Sequence, residues 1–460
     1  MNVSIFRQYD IRGIVETDLK DDVVLNLGKG YGTLMARRGH KIVNVGYDLR
    51  LSSPHLAGLF IKGILSTGLN VKNIGQVTTP TLYFSIVHLG TDGGTMITGS
   101  HNPIAYNGFK MCEGIGSVYG DDIQEIKRII LEEDFVTAAT GNMEKVDVMG
   151  DYLKMLKSKF KFNRPLKVVV DAGNATAGPI APDLWKSYGM QVTPLYCDPD
   201  GSFPNHLPDP AVPKYMKDLC ELVVKEGADL GLAYDGDSDR VGAVDEKGNL
   251  IYADTLLTLF SVDVLKNKPG SQILFDVKCS QAVPEVIKEN GGKPTMWKTG
   301  HSLLKAKMKE TKSPFAGEMS GHMFFADDYY GFDDGIYASG RLLQIIANSG
   351  KTFSELVAQI PHFESTPEIR VECADAAKFD VVASLVKEFS KEYETIDIDG
   401  ARVQFGDGWG LVRASNTEPT LVLRFEARTH EKLVEIINVF KEKLSKYEAV
   451  EFTDKDFDIV

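Results

Sequence analysis

Short apolar runs alternate with longer segments of helical periodicity in the part of the chain that begins at Lys41. KIVNVGYD is followed by SPHLAGLFIKGILSTG, then by VKNIG, TPTLYFSIVHLG and GTMITGS. Runs of the first kind are typical of strands, and segments of the second kind are typical of helices. The pattern therefore predicts strand, helix, strand, helix, strand, which is the order of an α/β fold.

The same alternation restarts twice further along the chain. PLKVVVDAGNATAG opens a second region, which continues through APDLWKSYG, QVTPLY and KYMKDLCELVVKEGA to DLGLAYDG near Asp235. A third region contains DTLLTLFSVDVLKN, QILFDV, AVPEVIKENGG, PTMWKT and SLLKAKMKE. The shared order is consistent with duplication, although no strict sequence period relates the regions. We therefore predict three similar α/β domains.

After Pro361 the order of elements changes. EIRVEC is followed by the helix-like AAKFDVVASLVKEFSKEY, then by DGARVQFGDGWGLVRASN, TLVLRFEA and the final helical segment EKLVEIINVFKEKLSKY. This order predicts a smaller α+β domain. The restarts place the domains at residues 1-146, 147-247, 248-361 and 362-460. Because no long linker separates them, we expect the domains to pack around a shared central cleft.

Composition narrows the class of protein. At about 150 residues per domain, a chain of 460 residues has room for several domains. The net charge of −13 is opposite to the basic surface that nucleic acids and anionic membranes attract, so we predict neither partner. Five scattered cysteines without CxxC spacing indicate reduced thiols. We find no signal-peptide pattern and no 18-residue apolar stretch, and we expect a cytoplasmic protein.

The first segment with chemical potential is TGSHNP at residues 98–103, which follows an apolar strand. Its position predicts that Ser100 lies on an exposed turn, with its hydroxyl presented to a ligand. A plain Ser-Asn-Pro turn is the alternative, since such turns are common. An unassisted serine is also a poor nucleophile at neutral pH, so the context has to decide.

The second segment is DGDSDR at residues 235–240, in which three carboxylates occupy alternate positions. Carboxylates in this pattern can turn their oxygens toward one hard cation such as Mg²⁺. A calcium EF-hand requires Gly at loop position 6 and flanking helices. Here Arg240 stands at that position and the flanks predict strands, although Glu246 does fall at position 12. We reject the EF-hand, and a solvated acidic turn remains the alternative.

Two further segments could contact a polar ligand. GEMSGH at residues 317–322 combines a carboxylate, a hydroxyl and an imidazole, which together can hydrogen-bond the hydroxyls of a polyol. RASNTEP at residues 413–419 combines a guanidinium, hydroxyls, an amide and backbone donors, which is the composition of a phosphate-binding loop. In isolation, each is also compatible with an ordinary surface turn.

Taken together and in this order, the four segments resemble those of the α-D-phosphohexomutase superfamily, most closely its bacterial phosphomannomutase/phosphoglucomutase branch. The similarity begins at RQYDIRG, residues 7–13, and continues through NGFK at 107–110 and WKTGH at 297–301 to the last loop. It therefore covers all four predicted domains. The superfamily fold has three α/β domains and a smaller α+β domain around a central cleft, as the element order predicts for this chain.

The resemblance implies roles for the residues of the first two segments. Ser100 would be the phosphoserine, and its phosphoryl oxygen would complete a Mg²⁺ site formed by three carboxylates, Asp235, Asp237 and Asp239. Arg240 would steady the phosphoryl group. Three further residues lie in segments that match the superfamily's active site. Lys110 and His101 would be candidates for proton transfer, and Arg12 would contribute a charge beside them.

The resemblance also implies a substrate site. The last loop would hold the non-reacting phosphate through Arg413, Ser415, Asn416 and Thr417. Glu318 and Ser320 would bind hydroxyls of the sugar. Four residues would make further contacts with the substrate: Tyr9, Lys278, His301 and His322.

The implied activity is interconversion of hexose 1-phosphate and hexose 6-phosphate, with mannose and/or glucose as the sugar. It would pass through a phosphoserine and a hexose 1,6-bisphosphate, which is both intermediate and activator. We expect small-molecule sugar phosphates as partners, and a monomer or weak dimer. Phosphoglucosamine mutases are also similar, but typically have a serine-glycine pair where this chain has Ser415-Asn416. A metal-dependent sugar phosphatase and a non-catalytic sugar-phosphate binder are the remaining alternatives.

Overall fold

The computed structural model describes residues 1–415 and 418–457. After a 3₁₀ turn at Val3–Ile5, the first region forms a mixed sheet of order β1-β5-β4-β2-β3-β7, with β6 paired to β5. Its elements are β1 (Ile11–Ile14), α1 (Asp21–Arg37), β2 (Ile42–Tyr47), α2 (Ser53–Leu65), β3 (Asn70–Gln76), α3 (Thr79–Leu89), β4 (Gly93–Ile97), β5 (Tyr106–Glu113), β6 (Gly116–Ser117), α4 (Asp121–Leu131) and β7 (Met143–Lys145).

The second sheet has the order β12-β11-β10-β8-β9. Its elements are α5 (Met149–Leu156), β8 (Lys167–Asp171), α6 (Ala181–Lys186), β9 (Gln191–Leu195), α7 (Pro213–Glu226), β10 (Leu230–Tyr234), β11 (Val241–Asp245) and β12 (Leu250–Ile251). Strand β10 pairs in parallel with β8 and antiparallel with β11. The segment DGDSDR therefore joins two fully buried strands, as predicted, and no EF-hand helices flank it.

The third sheet has the order β14-β13-β15-β16. Its elements are α8 (Ala253–Asn267), β13 (Gln272–Asp276), α9 (Ala282–Glu289), β14 (Lys293–Trp297), α10 (His301–Thr311), β15 (Phe315–Gly317), β16 (Met323–Phe325), α11 (Gly335–Ser349) and α12 (Phe353–Val357). Strands β14 and β15 both run parallel to β13, so the segments WKTGH and GEMSGH leave the same edge of the sheet.

The fourth sheet has the order β19-β20-β21-β22-β18-β23, with β17 paired to β22, and its pairs are antiparallel. Its elements are β17 (Glu364–Ser365), β18 (Ile369–Cys373), α13 (Lys378–Phe389), β19 (Thr395–Ile396), β20 (Ala401–Gln404), β21 (Gly408–Ala414), β22 (Thr420–Ala427), α14 (His430–Leu444) and β23 (Val450–Glu451), before a 3₁₀ turn at Asp454–Phe457. The predicted change from α/β to α+β order is confirmed.

One hydrophobic core runs through the first three regions. It includes Leu82 of α3, Val170 of β8, Phe275 of β13 and Leu342 of α11. Helix α11 follows the third sheet in the chain but also contacts β10 and β11 of the second sheet. Because its side chains are buried nearly all round, this helix joins the two sheets.

The first and fourth regions have additional cores of their own. In the first, helices α1 and α2 pack so closely that a Cβ atom on Gly28 would lie 2.1 Å from the carbonyl oxygen of Phe60. Glycine weakens an isolated helix, so here it is retained for close packing. In the part of the chain that the structure describes, no helix combines the length and the apolar character that a membrane span needs.

Two buried arginines help to attach the fourth sheet to the third. Arg402 donates hydrogen bonds to the carbonyl oxygens of Val277 (2.6 Å) and Cys279 (2.7 Å), and its guanidinium lies 3.6 Å from the ring centre of Trp409. Arg424 forms an ion pair of 3.0 Å with Asp254. These contacts fix the segment after β13 against the fourth sheet, and Lys278 lies in that segment.

Asp334 joins three parts of the common core at the start of α11. Its carboxylate accepts hydrogen bonds from the backbone N–H of Tyr337 (2.8 Å) and from the hydroxyls of Tyr152 (2.8 Å) and Tyr329 (2.6 Å). Burial raises the pKa of Asp334 to about 6, against the lowering effect of these donors. The folded protein therefore holds a proton on this carboxyl more tightly than the unfolded chain does.

The buried Asp334 predicts a specific pH dependence. Its contribution to stability is full below about pH 4 and is lost as pH rises through about 6. Between pH 5 and 7.5 we expect the free energy of unfolding of the parent to fall by about 1 kcal/mol relative to Asp334→Asn. Urea unfolding at the two pH values measures this difference. The exposed variant Asp397→Asn is the control, and parallel behaviour of the parent and Asp334→Asn would contradict the prediction.

Candidate active site

Ser100 lies in the loop that follows β4, and it is buried. Only 1% of its surface is exposed, so the sequence-based expectation of an exposed turn is wrong. Its Oγ donates a hydrogen bond to Oδ2 of Asp235 (2.7 Å) and lies 3.0 Å from Nδ1 of His101. The residue has a positive φ of 49°, a backbone conformation that is costly for residues other than glycine. This indicates a loop that is held in place by its surroundings.

Arg50 provides much of that restraint. Its guanidinium donates to four carbonyl oxygens of the serine loop and its end: Ser100 (2.9 Å), Asn102 (2.5 Å), Pro103 (2.9 Å) and Tyr106 (3.0 Å). The side chain is almost completely buried. Five N–H donors in a rigid plane suit this task, because one group satisfies several carbonyls that face inward.

Asp48 holds the other side of the same loop. Its carboxylate accepts hydrogen bonds from the Thr98 hydroxyl (2.7 Å), the Gly99 N–H (3.1 Å) and the Ser53 hydroxyl (2.5 Å). Nε of Arg50 lies 3.5 Å from the same carboxylate. A Cβ atom on Gly99 would lie 2.3 Å from that Nε, so the loop needs glycine at this position.

Three buried carboxylates face the serine from the turn between β10 and β11. One oxygen each of Asp235, Asp237 and Asp239 lies within 4.8 Å of the others. Oδ2 of Asp237 accepts hydrogen bonds from Nζ of Lys110 (2.7 Å) and from the Thr79 hydroxyl (2.5 Å). Lys110 also donates to Asp239.

Two carboxylate oxygens of this turn are available to bind a cation. Oδ1 of Asp237 and Oδ1 of Asp239 are buried and have no hydrogen-bond partner among residues 1–415 and 418–457. Leaving such groups unpaired is costly, and three carboxylates are the donor set that hard divalent cations prefer. The residues present therefore fit a divalent metal site.

The electrostatics of this cluster are dominated by burial. Burial raises the pKa of Asp235, and the neighbouring charges of Asp239 and Asp237 raise it further. For Asp237, burial also acts to raise the pKa, but the Lys110 ammonium and the hydrogen bonds to the carboxylate together outweigh it and the pKa is lowered. Burial alone would lower the pKa of Lys110, whereas the carboxylates of Asp237 and Asp239 raise it well above the usual value. Lys110 is therefore a permanent cation in this arrangement.

His101 has the opposite character. Burial, followed by the positive charges of Arg240, Arg12 and Lys110, holds its pKa well below the ordinary value. The ring is therefore neutral at physiological pH and can accept a proton. Arg12 donates to the side chain of Asn102 (2.6 Å) and forms an ion pair with Asp10 (2.7 Å), so it borders the same loop.

Arg240 connects the carboxylate turn to the segment GEMSGH. Its backbone N–H donates to Oδ1 of Asp235 (3.1 Å), and its side-chain Nε donates to Nε2 of His322 (3.0 Å). Since the arginine can only donate, Nε2 of His322 is unprotonated and the ring proton belongs on Nδ1. That nitrogen lies 3.0 Å from Oδ2 of Asp333 and 3.6 Å from Oδ1 of Asp239.

His322 is therefore placed behind the carboxylates and is almost completely buried. Asp333 also forms an ion pair of 3.2 Å with Lys305. The ring of His301 stacks on His322 with centroids 5.4 Å apart, and burial holds the pKa of His301 well below its usual range. The two predicted histidines thus form one buried unit with Asp333.

Glu318 and Ser320 lie next to the segment WKTGH. Oε1 of Glu318 accepts a hydrogen bond from the N–H of Gly300 (2.6 Å), and the Ser320 hydroxyl lies 3.4 Å from Oε2. Burial raises the pKa of Glu318. Tyr9 reaches this place from the first region, where its hydroxyl donates to the carbonyl of Thr299 (2.8 Å).

The predicted phosphate-binding residues come from two regions. Nε of Arg413 donates to Oδ2 of Asp399 (2.9 Å), and the same oxygen accepts from the N–H of Thr299 (3.1 Å). Lys278, in the segment after β13, pairs with Glu368 (2.8 Å). Oγ of Ser415 accepts from the N–H of Glu418 (3.1 Å). The predicted contacts Asn416 and Thr417 lie outside the described residues.

The structure thus brings the predicted residues into two connected groups. The first surrounds Ser100 and the three carboxylates, and the second surrounds Arg413 and Lys278; the loops of the third sheet lie between them. Sequence reasoning missed Arg50, Asp48, Asp333 and Glu368. Each is one charged residue in an unremarkable context, and no spacing marked it as part of a site.

The comparisons with known proteins agree with the division of the chain into three α/β regions and a C-terminal region. Four models describe phosphoglucomutase/phosphomannomutase domains: alpha/beta/alpha domains I, II and III match residues 3–137, 150–248 and 252–363, and the C-terminal domain matches residues 368–443. The chain belongs to the phosphoglucomutase/phosphomannomutase family.

Individual relatives match over nearly the whole chain. The phosphomannomutase/phosphoglucomutase of Pseudomonas putida is 46% identical over 446 residues, which are 97% of this chain and 96% of that protein. A crystal structure of a phosphoglucomutase/phosphomannomutase family protein from Burkholderia thailandensis has a TM-score of 0.91 and 41% identity, covering 98% of this chain and all of that one.

A more distant structure shares the fold alone. N-acetylphosphoglucosamine mutase of Aspergillus fumigatus, in complex with GlcNAc-6P and magnesium, has a TM-score of 0.62 at 15% identity. The match covers 95% of this chain and 96% of that one.

The unpaired carboxylate oxygens predict a measurable metal affinity. Asp237→Asn removes one negative ligand, so we expect Mn²⁺, as a spectroscopic probe, to bind about 100-fold more weakly. Electron paramagnetic resonance of free Mn²⁺ measures the affinity. The exposed variant Asp198→Asn is the control with the same charge change. Equal affinity in the two variants would show that the turn is only a charged loop.

Replacement of Arg50 is expected to loosen the serine loop locally. A lysine at this position has one ammonium group and cannot satisfy four carbonyls at once, so Arg50→Lys should expose the amides of the serine loop. We expect hydrogen exchange in residues 98–106 to accelerate by about tenfold or more, with little change elsewhere. Arg164→Lys, at a surface ion pair with Asp229, is the control. Unchanged exchange in the loop would overturn this role.

Proposed function

We propose that this protein is a phosphohexomutase that interconverts hexose 1-phosphate and hexose 6-phosphate, with mannose and/or glucose as the sugar. The observation that carries the proposal is the hydrogen bond of 2.7 Å between Ser100 and Asp235, in a buried cluster that offers both a metal site and a cationic side chain. Family membership and the names of the full-length relatives support it.

The reacting group in this proposal is a phosphoserine at Ser100. Its phosphoryl group passes to the free hydroxyl of the bound sugar phosphate: the bond from phosphorus to Oγ breaks, and a bond to the sugar oxygen forms. The resulting hexose 1,6-bisphosphate turns over in the site and returns its other phosphate to Ser100. Phosphate thus moves between C1 and C6.

Transfer of a phosphoryl group depends mainly on positioning and charge stabilisation. Arg50 and Asp48 position the serine loop. Lys110 is a buried cation beside the carboxylates, and Arg240 contacts Asp235 through its backbone N–H. We assign Mg²⁺ to Asp235, Asp237 and Asp239, where it would neutralise charge on the phosphoryl oxygens.

The sugar hydroxyl loses a proton as the new bond forms, and Oγ of Ser100 gains one as its bond to phosphorus breaks. His101 is the candidate for proton transfer at the serine oxygen, because its ring is neutral and lies 3.0 Å from Oγ of Ser100. Lys110 is already protonated, so we assign it charge stabilisation instead of the role of base. Arg12, beside Asn102, adds positive charge at the same place.

The remaining residues bind the substrate in this proposal. Arg413, Ser415 and Lys278, together with Asn416 and Thr417, hold the non-reacting phosphate, while Glu318 and Ser320 take sugar hydroxyls. Tyr9 contributes at the edge of that site. His301 and His322 remain the further substrate contacts in this proposal, and both rings lie beside Asp333.

The proposal extends to the cellular setting. A cytoplasmic location suits the five free cysteines, three of which are buried. Small-molecule sugar phosphates are the partners, and the net charge of −13 disfavours nucleic acid and anionic membranes.

³¹P NMR tests the activity and its alternatives together. The protein is incubated with Mg²⁺, a trace of glucose 1,6-bisphosphate and, in separate tubes, mannose 1-phosphate, glucose 1-phosphate or glucosamine 1-phosphate. We expect the first two to give 6-phosphates. Conversion of the amino sugar alone would indicate a phosphoglucosamine mutase, release of inorganic phosphate a phosphatase, and no reaction a sugar-phosphate binder.

The role of Ser100 is tested in the same assay. Ser100→Ala removes the phosphoryl acceptor, so turnover should fall by about three orders of magnitude or more while the fold is retained. Ser158→Ala, on the surface, is the matched control and should keep normal turnover. Near-normal turnover of Ser100→Ala would overturn the phosphoserine assignment.

A further inference from the structure

Glu368 lies immediately before β18 and faces the predicted phosphate site. Its Oε2 accepts a hydrogen bond from Nζ of Lys278 (2.8 Å), and its Oε1 accepts one from Nη2 of Arg370 (2.6 Å). One carboxylate therefore joins a cation of the third region to a cation of the fourth. Its side chain is 26% exposed and that of Lys278 is 10% exposed, so solvent screens the pair only in part.

The charges around Glu368 keep it ionised. Burial would raise its pKa, but Lys278 and Arg370, with a smaller effect of Arg413, lower it to about 2. For Lys278, burial acts to lower the pKa, and the Glu368 carboxylate leads the effects that raise it. Glu368 is thus a permanent anion among three cations.

The three cations differ in what else they contact. Arg413 has its own partner in Asp399, and Arg370 also pairs with Glu418. In the described part of the chain, Glu368 is the hydrogen-bond partner of the Lys278 ammonium. Lys278 is therefore the cation whose partner has to change when a phosphate arrives.

We propose that Glu368 is an internal counter-anion of the phosphate site, which the substrate's phosphate displaces from Lys278 and which thereby limits how tightly the site holds phosphate. A carboxylate and a phosphate present oxygens to the same N–H donors, so one can stand where the other binds. The inference rests on the proposed function, because it takes Lys278 to be a phosphate contact.

This arrangement suits the proposed cycle. The bisphosphate must exchange its two phosphates between the sites in each turnover, so a phosphate contact that is too strong would trap the intermediate. Repulsion between Glu368 and the incoming dianion weakens the contact without removing the cation. A phosphate contact that is equally strong in the ground state and the transition state lowers KM without raising kcat. Weakening such a contact therefore need not slow the phosphoryl transfer step.

Calorimetric binding of glucose 6-phosphate tests the inference in the absence of turnover. The measurements use the full chain carrying Ser100→Ala, in EDTA so that the metal site does not contribute. We expect Glu368→Gln to tighten binding by about five- to tenfold, because the repulsion is lost while Lys278 remains. Glu372→Gln, on the exposed face of the same strand, makes the same charge change and should alter binding less than about twofold.

A double-mutant comparison shows whether the effect acts through Lys278. In the Lys278→Met background, Glu368→Gln should tighten binding less than it does in the parent, since the Lys278 ammonium is no longer there to be released and only the repulsion of the phosphate is relieved. In the enzyme with Ser100 intact, Glu368→Gln should lower both KM and kcat, and Glu368→Asp should restore values near those of the parent.

The outcomes separate this inference from the proposed function. Unchanged or weaker binding in Glu368→Gln, while the parent binds normally, would overturn the counter-anion role and indicate that Glu368 only orients Lys278. Absence of glucose 6-phosphate binding in every variant would instead contradict the phosphate site, and both proposals would fail together.

Discussion

Three carboxylates with no exposure to solvent dominate the middle of this molecule. Removing a carboxylate from water is costly unless a cation or hydrogen-bond donors replace the water. Asp235, Asp237 and Asp239 meet this requirement only in part. Their partners are Lys110, the hydroxyls of Ser100 and Thr79, and the backbone N–H of Arg240. The turn that carries them, and the loops around it, are therefore arranged to supply positive charge.

Polar contacts that answer the same requirement also connect the four regions. Lys110 and Ser100 come from the first sheet, the carboxylates from the second and His322 from the third. Each partner completes a charge or a hydrogen bond that another region leaves open. Three further hydrogen bonds between regions lead toward the fourth sheet: Tyr9 to Thr299, Thr299 to Asp399, and Lys278 to Glu368.

Local sequence predicted the element order well, because buried strands and amphipathic helices carry their periodicity with them. The strand that leads to DGDSDR and the antiparallel strands after Pro361 are examples. Helices α1, α4, α5, α11 and α12 went unpredicted, and the first and fourth of these have a tertiary cause. Helix α1 carries glycines that close packing requires, and α11 is buried nearly all round because it joins two sheets. Neither cause is visible in a local pattern.

The candidate site divides along the same line. The motifs and their order identified the serine, the three aspartates and the ligand class of each loop as hypotheses, since the residues within each motif are close in sequence. The burial of Ser100, the protonation of Lys110 and the placing of His322 behind Asp239 required the tertiary structure. The roles of Arg50 and Glu368 also became visible only in the tertiary structure, because their partners Ser100 and Lys278 lie 50 and 90 residues away in the chain. Interactions of charged groups act through space and do not depend on separation along the chain.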